Sequence, residues 1–227
     1  MPESAVAIVV GAGPGLGNAL VDRFADGGMV VAAVSRKGIT PELRQRGATA
    51  RGYACDATVA DQVRSMFARV GAELGPPELV AFNVGTWDRA GILEISDELF
   101  VQAWRTGCFG GFLVGRAAAE AMLPHGRGTI IFTGATGSLR GGAGFAAFAV
   151  PKFGLRALAQ SMARELGPKG IHVAHVVVDG MIAPPGVSPQ QGFLRPDDIA
   201  EAYYQLHRQK PSAWTHELDL RPSVEKF

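Results

Sequence analysis

The chain has 227 residues, a length typical of one domain with a sizeable hydrophobic core. Hydrophobic residues make up 47% and charged residues 19%, a composition that excludes a disordered or tail-like protein. Lys and Arg total 22 against 21 Asp and Glu, so the net charge of +1 predicts no nucleic-acid or anionic-membrane partner. Glycine is in excess, with 30 residues against a usual share of about 7%.

Cysteine usage and the N-terminal segment indicate the compartment. Cys55 and Cys108 cannot make a disulfide framework, which favours a reducing environment. Met1–Ser4 carries no basic residue before the apolar Ala5–Val10, so no signal peptide is predicted. No stretch reaches the roughly 18 apolar residues of a membrane span. We expect a soluble cytoplasmic protein.

Short apolar runs alternate with longer amphipathic stretches along the chain. The apolar runs predict strands at Val6–Val10, Met29–Val34, Leu79–Asn83, Thr129–Thr133 and His172–Val178. The amphipathic stretches predict helices at Leu16–Ala25, Val59–Leu74, Asp97–Met122, Phe145–Leu166 and Pro196–His207. Two further helix start signals are Thr40, a capping hydroxyl before Pro41, and Thr58-Val-Ala-Asp61, which fits a capping box.

This repeated alternation predicts an α/β fold: a doubly wound parallel sheet with helices on both faces, in a single domain over residues 1–227. Ligands of such sheets bind beyond the carboxyl ends of the strands. The Pro- and Gly-rich segment Ala183–Gly192 is interpreted as a loop over the sheet edge. A substrate loop is expected over about residues 181–196.

A glycine-rich turn joins the first predicted strand to the first helix. Small residues there let the backbone approach a pyrophosphate, whose charge meets free amides at the helix N-terminus. The alternative is a turn that serves packing only. The predicted cofactor-binding residues of the turn are Gly11, Gly13, Pro14, Gly15, Leu16 and Gly17.

The second predicted strand leads into Ser35-Arg36-Lys37, where a NAD site would normally place an acid. A hydroxyl donor and a guanidinium fork suit a 2′-phosphate instead, so NADP is preferred and NAD is less favoured. The alternative is that Arg36 and Lys37 are only solvated.

The Gly-x-x-x-Gly-x-Gly spacing resembles the short-chain dehydrogenase/reductase superfamily, and the resemblance covers essentially the whole chain. It implies a Rossmann-like fold, a nicotinamide cofactor and association into a homodimer or homotetramer. The last strand of the family corresponds to Trp214–Leu220. Further cofactor-binding positions implied by the resemblance are Asp56, Ala57, Asn83, Val84, Gly85, Lys152, Gly180 and Ile182.

The family's catalytic pattern is broken in this sequence. Its proton-relaying Tyr corresponds to Phe148, its substrate-orienting Ser to Ala135, and its supporting Asn to Gly107. Lys152 is kept but has no phenol to activate. Loss of general acid–base catalysis typically costs a factor of about 10²–10⁴ in rate.

Other groups near these positions can replace the missing proton donor. Thr133, Thr136 and Ser138 flank Ala135 and either orient a substrate oxygen or make ordinary loop hydrogen bonds. Asp179 stands where the family has Pro, and acts either as a general acid or base or as an acceptor of backbone amides. With Lys152, Asp179 is therefore a predicted catalytic residue.

Two functions from different classes follow from the sequence. The first is an NADP-dependent oxidoreductase with an atypical active site, acting on a small carbonyl or alcohol substrate. The second is a catalytically degenerate NADP-binding protein that serves as a sensor or subunit partner. A nucleotide-binding fold turned to non-redox chemistry is a third, weaker hypothesis. His172 and His175 are interpreted as structural, and no metal site is predicted.

Overall fold

The structure, a computed structural model, describes residues 5–38, 49–184 and 192–224. Seven strands form one parallel sheet in the order β3-β2-β1-β4-β5-β6-β9, and β7 pairs with β8 outside it. The strands are β1 (Val6–Val10), β2 (Val30–Ser35), β3 (Ala50–Ala54), β4 (Pro77–Phe82), β5 (Gly128–Ala135), β6 (Ile171–Val178), β7 (Met181–Ile182), β8 (Phe193–Leu194) and β9 (Glu217–Leu220).

Helices cover both faces of the sheet, so the predicted doubly wound, Rossmann-like α/β fold is confirmed. The helices are α1 (Leu16–Asp26), α2 (Ala60–Glu73), α3 (Asp97–Trp104), α4 (Gly110–Met122), α5 (Ala146–Leu166) and α6 (Pro196–His207). Each predicted helix in the described part of the chain is present, with outer boundaries that differ by at most one residue. The last strand begins at Glu217, later than the predicted Trp214.

The core consists of two hydrophobic layers, one on each face of the sheet. Every residue of β1 and of β6 is buried, as near-continuous apolar strands predict. One layer contains Phe24 of α1 and Tyr203 of α6, and the other contains Phe132 of β5 and Leu155 of α5. Burial on both faces fixes the sheet as a rigid support for the loops at its edge.

The start of α2 differs from the prediction. The helix begins at Ala60 after Val59, and no described side chain caps it. Thr58 instead donates its hydroxyl proton to Asp56 Oδ1 at 2.7 Å, so the predicted capping box is wrong. The hydroxyl is used to order the turn that follows β3. The predicted start at Thr40–Pro41 lies outside the described residues.

The long helix predicted over residues 97–122 is helical throughout, but its winding changes from α-helical to π-helical and back to α-helical. A π-helical turn at Arg105–Phe109 joins α3 to α4. Gly107 lies in this turn, against Pro151 of α5: a Cβ on residue 107 would come within 3.0 Å of Pro151 Cβ. The bulge and the missing side chain together let the two helices pack closely there.

A polar cluster ties α5 to two neighbouring strands. Arg156 of α5 donates two hydrogen bonds of 2.6 Å to the carboxylate of Glu217 on β9. Glu217 also contacts His175 Nδ1 of β6 at 3.2 Å. Burial lowers the pKa of His175 to about 4, and Glu217 opposes that shift only in part. His175 is therefore neutral in the folded protein near neutral pH.

We expect the free energy of unfolding to fall as the pH decreases from about 6.5 to about 4. In that range His175 binds a proton in the unfolded chain but not in the folded one, so protons favour unfolding. One such proton sets a slope of at most about 1.4 kcal/mol for each pH unit. Urea unfolding of the wild type and of His175→Gln, measured at several pH values, should show a smaller slope for the variant. Equal slopes for the two proteins would contradict the assignment of the pH dependence to His175. The matched control is His125→Gln, at an exposed position, which should keep the wild-type slope.

Among the described helices, none is long and apolar enough to cross a membrane.

Candidate active site

Two cavities lie at the carboxyl edge of the sheet. The first, here called the glycine-turn cavity, has a volume of about 500 Å³. It brings together nine predicted residues from the ends of four strands: Gly11, Gly13, Ser35, Arg36, Asp56, Ala57, Asn83, Val84 and Gly85. It is also lined by residues that the sequence analysis missed, among them Thr86, Asp88, Gln102 and Thr106. These follow β4 or lie on α3 and the π-helical turn, where no motif marks them.

The backbone of the glycine turn requires glycine at several positions. Gly11 has φ +93° and Gly15 has φ +87°, values that side-chain-bearing residues rarely adopt. A Cβ on Gly17 would come within 2.2 Å of the Gly11 carbonyl oxygen, whereas a Cβ on Gly13 would meet nothing within 4 Å. No side chain in the described part of the chain caps α1. An open backbone next to an uncapped helix N-terminus fits a pyrophosphate.

The residues after β2 and β3 form the far end of the glycine-turn cavity. Hydrogen bonds from the Thr58 backbone amide and hydroxyl lower the pKa of Asp56, and the positive charge of Arg36 acts in the same direction. Ser35 donates its hydroxyl proton to the Gly38 carbonyl oxygen at 3.2 Å. Arg36 lines the cavity, and Lys37 is exposed and does not. A cation and a carboxylate thus lie where adenosine groups would be held.

Lys152 is buried behind the opposite end of this cavity. Its Nζ donates a 2.7 Å hydrogen bond to the Thr133 carbonyl oxygen. A Cβ on Gly85 would lie 3.3 Å from this Nζ, so the absent side chain at Gly85 lets the ammonium approach the cavity wall. Burial lowers the pKa of Lys152 to about 8. Asn83 contributes at the same wall, with Nδ2 donating to the Gly11 carbonyl oxygen at 3.4 Å.

The second cavity, here called the apolar cavity, has a volume of about 370 Å³ and lies beside the first. Trp87, Phe145 and Phe148 form one side of it. The Phe148 ring centroid lies 4.7 Å from that of Trp87 in an edge-to-face contact, and the Trp87 and Phe145 centroids are 5.5 Å apart. Phe148 also covers Gly137, where a Cβ would come within 2.7 Å of the ring. Phe148 is therefore part of an aromatic wall.

Three polar side chains follow directly after neighbouring strands at the base of the apolar cavity. Ala135 of β5 pairs with Val178 of β6, which pairs with Leu220 of β9. This register brings the next residues together: Thr136, Asp179 and Arg221. The Thr136 hydroxyl donates to Asp179 Oδ1, and Arg221 Nη2 lies 3.5 Å from Asp179 Oδ2. Asp179 itself is 3% exposed, and its backbone amide bonds to Leu220.

The other two candidate hydroxyls have different partners. Ser138 is fully buried, and its Oγ accepts a hydrogen bond from the Ala135 amide at 3.1 Å. Thr133 Oγ1 accepts from the Tyr203 hydroxyl at 2.8 Å, inside the core. Of the three, Thr136 is the one that lines the apolar cavity.

Of the remaining predicted site residues, one lines the apolar cavity and the others line neither cavity. Gly180 lines the apolar cavity, and its φ of +150° brings it against the Pro222 ring, 2.8 Å from where its Cβ would be. Ile182 lies in β7 and packs on the core. The predicted residues outside both cavities are Pro14, Gly15, Leu16, Gly17, Lys37, Lys152, Asp179 and Ile182.

The two strand histidines are only partly satisfied. His172 stacks on Trp214, and its Nε2 contacts the Thr215 carbonyl oxygen at 2.9 Å. The other ring nitrogens, His172 Nδ1 and His175 Nε2, are buried and have no hydrogen-bond partner among the described residues. Within those same residues no three His, Cys, Asp or Glu side chains lie close enough to hold a metal ion.

Comparison with known proteins gives consistent matches. The model of the short chain dehydrogenase family matches residues 5–190. The chain is 29% identical over 182 residues to the 3-oxoacyl-(acyl-carrier-protein) reductase FabG of Escherichia coli K12, covering 79% of this chain and 74% of that protein. A short-chain dehydrogenase structure from Rhodopseudomonas palustris is 42% identical, with a TM-score of 0.85 over 98% of this chain and 100% of the other. A metagenomic short-chain oxidoreductase in complex with NADP is 26% identical, with a TM-score of 0.83 over 97% and 98% of the two chains.

Proposed function

The chain belongs to the short-chain dehydrogenase/reductase family, and on that premise we propose that it is an NADP-dependent oxidoreductase that interconverts a small alcohol and carbonyl compound. The observation that carries this proposal is the Thr136–Asp179 hydrogen bond at the base of the apolar cavity. It provides an oxygen-binding hydroxyl backed by a buried carboxylate in a site without the family's Tyr and Ser. The reductase FabG and the NADP complex among its relatives support the reaction class and the cofactor.

The cofactor would be held by groups from three strand ends and from α5. The glycine turn and the uncapped start of α1 suit the pyrophosphate, and Arg36 suits a 2′-phosphate. Lys152, with Gly85 beside it, would hold the nicotinamide ribose. When bound, the oxidised cofactor would serve as the hydride acceptor and the reduced cofactor as the hydride donor.

In this proposal the side chains at the strand ends handle the proton. A substrate alcohol gives its proton to Thr136 Oγ1 as Thr136 gives its own to Asp179, and the reverse transfer accompanies carbonyl reduction. Arg221 Nη2 is shared between Asp219 and Asp179, and its ion pair with Asp179 favours the ionised carboxylate. Lys152 adds a buried positive charge near the site. Its Nζ donates to the Thr133 carbonyl oxygen and so is not directed at the substrate.

One observation favours the alternative of a degenerate NADP-binding protein. Phe148 is packed between Trp87 and Gly137 as an ordinary aromatic side chain. Phe148 has no proton to donate at the position where the family has Tyr. The two functions differ in turnover and agree in cofactor binding, so both quantities must be measured.

We expect Arg36→Ala to weaken NADPH binding by about tenfold or more and NADH binding much less, because a guanidinium bonds a 2′-phosphate through charge-assisted hydrogen bonds. Fluorescence titration of both cofactors measures the ratio. Lys37→Ala is the matched control, since Lys37 is the adjacent cation but does not line the glycine-turn cavity. Equal weakening of NADPH and NADH by Arg36→Ala would refute the 2′-phosphate role.

We expect Thr136→Val and Asp179→Asn each to lower kcat by roughly 10²-fold or more, since proton transfer contributes about 10²–10⁴ in rate. The assay is NADP(H) turnover over a panel of small carbonyls and alcohols. Thr136→Ser keeps the hydroxyl and should keep most of the activity, and NADPH affinity should be unchanged in all three variants. Unchanged kcat in Asp179→Asn would exclude the proposed relay.

The double variant Ala135→Ser with Phe148→Tyr separates this function from its alternative. NADPH binding without turnover in the wild type, together with turnover in the double variant alone, would establish a degenerate site.

We also propose that the protein forms a homodimer or homotetramer through a face made by α3, α4 and α5. Trp104, Phe109 and Phe112 stack in succession along this face, with neighbouring centroids 5.8 and 6.2 Å apart. Val150 and Phe153 of α5 are exposed beside them. An exposed apolar patch of this kind is typical of a protein interface.

The variant Phe153→Ser should weaken this association, because it removes a large exposed apolar side chain from the face. Sedimentation velocity of the wild type should give a mass of at least twice the 23.8 kDa of one chain. The variant should dissociate at a concentration about tenfold or more higher than the wild type. Val59→Ser, an exposed apolar position on another surface, should behave as the wild type. A monomeric wild type would contradict the proposal.

A further inference from the structure

The hydrogen bonds at the base of the apolar cavity distinguish an alcohol from a carbonyl. Thr136 has one hydroxyl proton, which it donates to the Asp179 carboxylate. Its oxygen then offers only acceptor lone pairs to a ligand in the cavity. A bound alcohol can donate to this oxygen, whereas a ketone or aldehyde has an acceptor only and would face another acceptor. The arrangement therefore favours the alcohol.

The Asp179 carboxylate has little freedom to reverse this arrangement. It is 3% exposed, ion-paired with Arg221, and bonded through its own backbone amide to β9. Because the strand register fixes all three residues, the Thr136 hydroxyl stays directed at the carboxylate. Turning the Thr136 hydroxyl away would leave the buried Asp179 carboxylate without one of its hydrogen-bond donors, which is costly.

The wall of the apolar cavity points to the body of the ligand. Trp87 is 64% exposed although it contacts both Phe145 and Phe148. Its open ring face, beside two further aromatic rings, suits a flat apolar group that stacks or packs edge-to-face. A volume of about 370 Å³ lies within the ordinary range for small-molecule sites.

The rim of the apolar cavity carries a positive charge. Among the described residues that line it, Arg140 is the charged one, and it is exposed. A second guanidinium, that of Arg89, lies 5.4 Å from the Phe145 ring centroid. A guanidinium at the edge of an apolar site suits a carboxylate or another planar anion.

We propose that the apolar cavity binds the alcohol form of a flat, apolar substrate that carries an anionic group. The hydroxyl donates to Thr136, the ring packs on Trp87, and the anion pairs with Arg140. This inference rests on the proposed function, and it assigns alcohol as the bound substrate. In oxidation the carbinol carbon would lose its hydrogen with both electrons of the C–H bond, for which bound NADP⁺ would be the acceptor. The O–H proton would pass to Thr136 Oγ1 as the Thr136 proton passes to Asp179, and the O–H electron pair would form the C=O bond.

The test is direct binding, so that it needs no knowledge of the natural substrate. The probes are 2-, 3- and 4-(1-hydroxyethyl)benzoate, the three matching acetylbenzoates, and 1-phenylethanol. Calorimetric titration of the cofactor-free protein gives each Kd. We expect at least one hydroxyethyl isomer to bind about tenfold or more tightly than both its acetyl counterpart and 1-phenylethanol. No saturable binding, or equal binding of alcohol and ketone, would overturn the proposal.

Matched variants identify which side chain gives each preference. Thr136→Val should bring the alcohol and ketone affinities to about the same value, while Thr136→Ser should preserve the difference. Arg140→Gln should weaken the acids by about tenfold and leave 1-phenylethanol unchanged. Trp87→Ala should weaken every probe. A preference that survives Thr136→Val, or acid binding that is insensitive to Arg140→Gln, would overturn that part of the assignment.

A separate NADPH titration of the same samples distinguishes this inference from the proposed function. Failure to bind NADPH would refute the cofactor proposal, while the probe titrations would still decide the nature of the apolar cavity. Retained NADPH affinity in each variant also shows that the substitution leaves the fold intact.

Discussion

The parallel direction of all seven strands is the constraint on which the candidate site depends. It places every carboxyl strand end at one edge of the sheet, and it requires helices on both faces to bury the apolar strands. Residues that are far apart in the chain therefore meet there, and register alone decides which ones. Thr136, Asp179 and Arg221 are neighbours because Ala135, Val178 and Leu220 lie in one row of the sheet.

The fold was predictable from the sequence because its signals are local and repeated. Apolar runs such as β1 and β6 are continuous over their length, and the glycine turn identifies the first strand–helix junction. Thr58 misled the prediction because its side chain suits two local structures. In a helix cap its oxygen would accept from a backbone amide, whereas in the Asp-centred turn that the structure shows its hydroxyl donates to Asp56 Oδ1.

The candidate site was predictable only in part. Glycines and strand-end residues could be named from spacing, whereas Thr86, Gln102 and Arg221 come near the cavities through tertiary packing and strand register that no local pattern encodes. The sequence named both Thr136 and Asp179 as separate candidates. Their contact, and the fact that Asp179 lies behind Thr136 rather than lining the apolar cavity, required the three-dimensional arrangement.

The contact between Gly107 and Pro151 limits which side chains residue 107 can carry. A Cβ there would lie 3.0 Å from Pro151 Cβ, so the proline ring would have to shift by a few tenths of an ångström to admit a larger residue. Because that ring belongs to α5, a polar side chain at residue 107 depends on how far the neighbouring helix can move. The spacing of two helices, and not only the chemistry of the site, thus decides which residues this position accepts.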